Sequence, residues 1–276
     1  MFQTLSRSWS LVKASAAVLR ADRELLWLPV LSALCTVVVI ATFALPTFAL
    51  RLFDGGFHWG KALLGFAFYF CQYAVIVFFN SALVAAALIR LQGGDPTLRD
   101  GLSAAWARLP AILGYAAIAA TVGVILQGLK NRDNNLIVRL LGSALGVAWT
   151  LATFLVVPVL VAQGVGPIDA LKRSVELLKR TWGENAVGQA GIGAAFGLIT
   201  FVVILAGIGL ALLAAQASTG AAIAVAVVFV LLVALLAIVQ AALSGIYSAA
   251  LYRYAIDGRA PQGFEATGIA GAFAPR

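Results

Sequence analysis

Two stretches of this chain, Leu25 to Leu50 and Ala62 to Ile89, contain no charged residue. Each exceeds the roughly 20 residues with which an α-helix crosses a hydrocarbon core about 30 Å thick. Buried helices of water-soluble domains rarely run so long. Inside lipid every backbone N–H and C=O must find a partner within the protein, so such runs fold as helices. Four further apolar runs follow, and the spans are placed near 25–50, 62–89, 110–129, 140–162, 186–215 and 221–252. The expected fold is all-α, a polytopic membrane bundle of six transmembrane helices. Composition agrees, with 62% hydrophobic and 11% charged residues among 276. A soluble domain is nearer half apolar and a quarter charged. The first span is longer than the apolar part of a cleavable signal and follows an amphipathic segment, so it is read as uncleaved.

The short loops leave no room for a second domain. Residues 1–256 form a single transmembrane domain, and the Gly-, Ala- and Pro-rich tail 257–276 is expected to be disordered. The net charge is +8. Fourteen of the 19 basic residues fall on one side: Arg7, Lys13, Arg20, Arg23, Arg90, Arg99, Arg108, Lys172, Arg173, Lys179, Arg180, Arg253, Arg259 and Arg276. The other five are Arg51, Lys61, Lys130, Arg132 and Arg139. Basic loops stay in the cytoplasm, which places both termini there and the loops near Gly56, Asp133 and Thr219 outside. These charges sit in short loops beside apolar runs, a pattern that fits anionic lipid headgroups and not nucleic acid.

Three stretches on the basic side read as amphipathic helices lying in the interface. The clearest is Pro167 to Trp182, with Ile168, Leu171, Val175, Leu178 and Trp182 on one stripe. Lys172, Arg173, Lys179 and Arg180 flank that stripe and are the candidate anionic-lipid contacts. Asp169 with Arg173, and Glu176 with Arg180, are spaced to pair. A second stretch starts from Asp95 as N-cap and runs through Leu98, Leu102, Trp106 and Leu109. The third carries Leu5, Trp9, Val12, Ala16 and Leu19. "TLSRSWSLVK" at 4–13 can be laid over "ALKRSVELLK" at 170–179, and "GLSAAWARL" at 101–109 fits the same frame more weakly. Each copy precedes two spans. Two explanations stand: three parallel helix-plus-hairpin repeats, or basic amphipathic helices that are alike by composition.

Chemistry within the membrane needs costly ionisable groups at depth, and no span interior holds one. The one histidine, His58, lies in the first external loop, and no metal-ligand cluster, phosphate loop or nucleophile motif is present. The expectation is no enzyme, no cofactor and no metal. Cys35 and Cys71 sit at depths too different for a disulfide. Asn80, Ser81, Gln240 and Ser244 form a candidate polar membrane patch, read first as interhelical hydrogen bonding and second as a solute site. Gly142 with Gly146 and Gly193 with Gly197 permit close helix approach, within the chain or in a homo-oligomer. Pro46 and Pro158 are candidate kinks.

The stretches "RADRELLWLPVLSAL" at 20–34, "FFNSALVAAALIRLQGGDPTLRDGLSAAWARLPAILGY" at 78–115 and "VVPVLVAQGVGPIDALKRSVELLKRTWGENAVG" at 156–188 resemble the domain of unknown function 6159 family. These are uncharacterised six-span membrane proteins of prokaryotes. Gln163 departs from the pattern, where relatives often carry Glu before the turn. The resemblance implies the prokaryotic cytoplasmic membrane and brings no activity. The function expected is a membrane scaffold or a bilayer-responsive protein whose partners are membrane lipids. The alternative is a small transporter or channel for a neutral or lipid-like solute, for which Asn80, Gln240 and Ser244 would line a polar cavity.

Overall fold

The computed structural model describes residues 2–49, 59–131, 136–180 and 182–259, together with Pro261 and Phe264. The described residues are helices and their connections, with no strand among them. In chain order the helices are α1 (Phe2–Ala21), α2 (Trp27–Ala49), α3 (Trp59–Leu91), α4 (Leu98–Ala107) and α5 (Leu109–Asn131). Then follow α6 (Leu136–Thr153), α7 (Val156–Gln163), α8 (Pro167–Arg180), α9 (Trp182–Ala217) and α10 (Thr219–Asp257). The all-α class is as expected, and six segments are long and apolar enough to cross a membrane. They are Arg23–Leu45, Leu63–Leu91, Leu109–Gly128, Gly142–Gln163, Ala195–Ala217 and Thr219–Asp257. A shorter helix precedes two crossing segments three times along the chain. His58 and the loops near Gly56 and Asp133 lie outside the described residues.

The core sits at one end of the bundle. It takes Leu25 and Leu28 at the start of the first crossing, Ala82 to Leu88 at the end of the second, and Ile112 to Ala120 at the start of the third. Leu155 to Leu160 and Ala242 to Tyr252 come from the ends of the fourth and sixth. Alternating chain direction brings these starts and ends to the same side. The opposite ends expose large apolar side chains, among them Val37, Val38, Ile125, Val147, Leu212 and Leu231. Soluble monomers rarely expose apolar patches beyond a few hundred Å². A surface of this kind is covered by lipid, and the protein is a multi-pass membrane protein. At 1.5 Å per residue α9 and α10 are about 54 and 58 Å long, so each outruns the hydrocarbon. The C-terminal part of α10 enters the packed core.

The fourth crossing is broken. Its helix ends at Thr153 and resumes at Val156. Proline lacks an N–H and its ring collides with the carbonyl four residues back. For Pro158 that residue is Phe154, which lies in the break. Pro46, by contrast, does not interrupt α2, which runs on to Ala49.

Several expectations need correction. α4 is capped by Thr97, not Asp95: the Thr97 hydroxyl accepts from Asp100 N–H, and the Asp100 carboxylate accepts from Thr97 N–H. Asp95 instead meets Arg90 at 3.2 Å. Within the tail, Pro261 and Phe264 are buried, and the other residues from 260 on lie outside the described residues. Gly146, Gly193 and Gly197 of the Gly-x-x-x-Gly pairs do not bring helices together within the chain, since a methyl on any of them would meet nothing within 4 Å. Close approach falls on other glycines. On Gly207 a methyl would come within 2.7 Å of the Phe229 ring, and on Gly245 within 2.5 Å of Leu83 Cδ2. Cys35 and Cys71 are both free and half-buried.

Candidate functional site

The short helices α1, α4 and α8 gather at the packed end, and there the polar side chains converge. Ionic contacts tie the α1–α2 turn to the loop after α3. Arg90 Nε lies 3.2 Å from Asp22 Oδ2, and Arg90 Nη1 lies 3.2 Å from Asp95 Oδ1. Glu24 accepts from the backbone N–H of Leu98 at the first turn of α4. Asp22 is buried, and its Oδ2 is near Arg90 without being aligned for a hydrogen bond. Burial pushes the Asp22 carboxyl above its ordinary range; Arg90 opposes this, while Asp95 and Glu24 add to it. Across the loop, hydrogen bonds from Thr97 hold Asp100 below that range.

The signs give a prediction. A carboxyl raised in the folded state favours folding below its unfolded value, and that contribution is lost as pH rises through the folded value. Ionised Asp22 therefore opposes folding at neutral pH. Asp22→Asn should leave neutral-pH stability equal or higher and should flatten its rise toward acid. Arg90→Gln leaves three carboxylates facing one another and should cost about 1–2 kcal/mol, partly recovered on acidification. Thermal unfolding in detergent between about pH 4 and 7 checks both. Equal losses from the two variants at neutral pH would refute the assignment.

A second assembly closes the break in the fourth crossing. Ser174 of α8 is fully buried, donates to the Ala152 carbonyl at 2.6 Å and accepts from Leu155 N–H at 3.2 Å. Nearby, Gln163 at the end of α7 donates to the Tyr252 hydroxyl of α10 at 3.1 Å and accepts from Arg173 of α8. Gly164 follows with φ of +64°, a left-handed conformation that favours glycine, and the movable guanidinium end of Arg108 lies beside it. The three stretches that carry the family resemblance supply these groups. Residues 20–34 give Asp22 and Glu24; 78–115 give Arg90, Asp95, Asp100 and Arg108; 156–188 give Gln163, Arg173 and Ser174.

The lipid contacts foreseen on α8 are distributed along it. Lys172 is exposed and pairs with Asp169 at 3.8 Å. Arg173, expected to pair with Asp169, turns to Gln163 instead. Lys179 is exposed, and the side chain of Arg180 lies outside the described residues. The helix buries Ala170, Ser174, Leu177 and Leu178, a face rotated from the predicted stripe. Ile168 is exposed, and in α4 Trp106 is exposed while Gly101 and Ala105 are buried. Trp106 also packs edge-on against Phe78, with centroids 5.4 Å apart.

The four residues of the candidate membrane patch lie on α3 and α10. Asn80 sits against Gly245, its Oδ1 3.2 Å from where a methyl there would lie. Ser81 is fully buried with an unpartnered Oγ, while Gln240 and Ser244 are half-buried. Among the described residues no hydrogen bond joins these four. A seam not anticipated from the sequence runs between α3, α5 and α6. Tyr69 donates to Gln127, Tyr73 packs on Gly123, and Tyr115 lies beside Thr153. Gln72 lies on the same helix with a buried, unpartnered Oε1. Spacing of 69, 73 and 80 on one helical face was the available signal. Among the described residues no group of three or more His, Cys, Asp or Glu is placed to hold a metal.

The model of a family of unknown function, DUF6159, matches residues 60–264. No curated protein and no solved structure matches the chain.

Proposed function

The chain belongs to the DUF6159 family of unknown function, and we propose that it is a non-enzymatic membrane protein that responds to the bilayer and scaffolds partners at its surface. One observation carries this reading. The basic helix α8 is fastened through Ser174 into the break of a membrane crossing, so its position at the surface and the geometry of that crossing change together. Exposed Ile168 beside Lys172 and Lys179 is the arrangement by which an in-plane helix meets lipid, and exposed Trp27 and Trp106 suit the same depth. The excess of basic residues supports a cytoplasmic position for this end, with both termini there, in a prokaryotic cytoplasmic membrane. The threefold repeat is part of the proposal. In its frame Gly101 and Ala105 align with Ala170 and Ser174, and all four are buried. The transporter alternative would need Asn80, Gln240 and Ser244 on one wet path. Asn80 packed against Gly245, beside a sealed Ser81, supports helix contact instead.

Replacing Lys172, Arg173, Lys179 and Arg180 by Gln should weaken binding to anionic bilayers by up to about 1 kcal/mol per charge. Wild-type binding should weaken with salt. Liposome flotation measures both, and an unchanged quadruple variant would sink the surface-helix reading.

A further inference from the structure

A cavity of about 180 Å³ opens beside the end of α7, and the described residues lining it are Gln163, Arg173, Glu176 and Leu177. That is room for about six waters at roughly 30 Å³ each, or for one small polar group. Gln163 is the last residue of the fourth crossing, so the cavity lies where the chain leaves the hydrocarbon. Its wall carries both signs. Arg173 and Glu176 are three residues apart on α8, a spacing that sets Cβ atoms about 5–6 Å apart. Among the described residues no ion pair joins them. Arg173 is instead held by Gln163, which is itself held by Tyr252 at 3.1 Å. The two opposite charges thus line the cavity side by side without pairing to each other.

We propose that this cavity binds a phosphoethanolamine group, with the phosphate on Arg173 and the ammonium on Glu176. The inference rests on the reading of α8 as a membrane-surface helix. A guanidinium presents paired N–H donors to phosphate oxygens, and a carboxylate accepts from a primary ammonium. A quaternary ammonium is recognised by aromatic rings, and none of the described lining residues is aromatic. A purely anionic headgroup would place its phosphate beside Glu176 without a cation to answer it.

Native mass spectrometry of the full-length protein in mild detergent tests this, with ethanolamine, choline and glycerol phospholipids of matched acyl chains. The wild type should retain the ethanolamine lipid about tenfold better than the choline lipid. Glu176→Gln should lower the ethanolamine-to-glycerol ratio about tenfold while glycerol-lipid binding persists. Arg173→Gln should weaken both. Both side chains are exposed, so folding should survive, and the unfolding temperature verifies it. Free phosphoethanolamine that displaces the lipid identifies a soluble ligand; failure to displace it identifies the lipid. Either result upholds the chemistry. Equal retention of choline and ethanolamine lipids, or a ratio indifferent to Glu176→Gln, overturns it. An indifferent ratio in a protein whose flotation still depends on the four basic residues sinks the cavity alone; unchanged flotation sinks the surface helix.

Discussion

Ser174→Ala is expected to destabilise the protein by about 2–4 kcal/mol, although it removes a single oxygen atom. In an unbroken helix Leu155 N–H would bond to the Leu151 carbonyl, and the Ala152 carbonyl would accept from Val156. The break changes both. Leu151 O now receives Phe154 N–H at 3.2 Å, which leaves Leu155 N–H and Ala152 O to find other partners. The Ser174 hydroxyl serves the two together, accepting from Leu155 N and donating to Ala152 O. Leu155 and Ser174 are fully buried, so water has no access to replace it. A buried polar group left without a partner costs about 1–3 kcal/mol; here that group is Leu155 N–H, and the carbonyl of half-buried Ala152 adds to it. Pro158 causes the break, so Pro158→Ala should allow the crossing to close and should reduce the cost of losing the hydroxyl. A double-mutant cycle should give a coupling of about 1–2 kcal/mol between the positions. Thermal or denaturant unfolding in one detergent measures all four species. A Ser174→Ala protein within about 0.5 kcal/mol of wild type would mean that the backbone re-forms its own bonds there.

Run length made the six crossings legible, because lipid admits few alternatives to a long apolar helix. The break was half legible. Pro158 announces a kink, but the serine that stabilises it lies 19 residues away from Leu155 on another helix. The polar contacts at the packed end were not legible for the same reason. Gln163 meets Tyr252 across 89 residues of sequence, and Glu24 meets Leu98 N–H across 74.

The face by which each of the short helices α4 and α8 packs on the bundle was not legible in the sequence. Large apolar residues such as Ile168 and Trp106 marked the predicted stripes, yet both are exposed. The buried contacts fall on Gly101, Ala105, Ala170 and Ser174. At a membrane interface protein and lipid are both apolar, so hydrophobic pattern alone does not separate the face that packs from the face that meets lipid. Residue size does separate them, since small residues allow backbones to approach while bulky ones fill the more yielding lipid.

That distinction yields the second large effect, at Gly101. An added methyl there would lie 2.6 Å from the Ala82 carbonyl oxygen, 3.3 Å from its carbon and 3.4 Å from Ala86 Cβ. The nearest obstacle is backbone, so no side chain can swing aside. α4 would have to lift off α3, opening the contacts of buried Ala82, Ala86 and Ala105. Overpacking of this kind costs about 1–3 kcal/mol. It is opposed by the better helix propensity of alanine, worth about 1 kcal/mol at an exposed site. The backbone clash wins because it moves a whole helix, and Gly101→Ala should lose up to about 2 kcal/mol net. The control is Gly128→Ala in α5, where a methyl meets nothing within 4 Å. There propensity acts alone, and stability should rise by up to about 1 kcal/mol. Lifting α4 should also part Trp106 from Phe78 and shift the tryptophan emission, whereas Gly128→Ala should leave it unchanged. Two chemically identical substitutions thus carry opposite signs. If Gly101→Ala stabilised the protein as Gly128→Ala does, α4 would not be seated on α3, and the packed end would lose the contact that fixes α4.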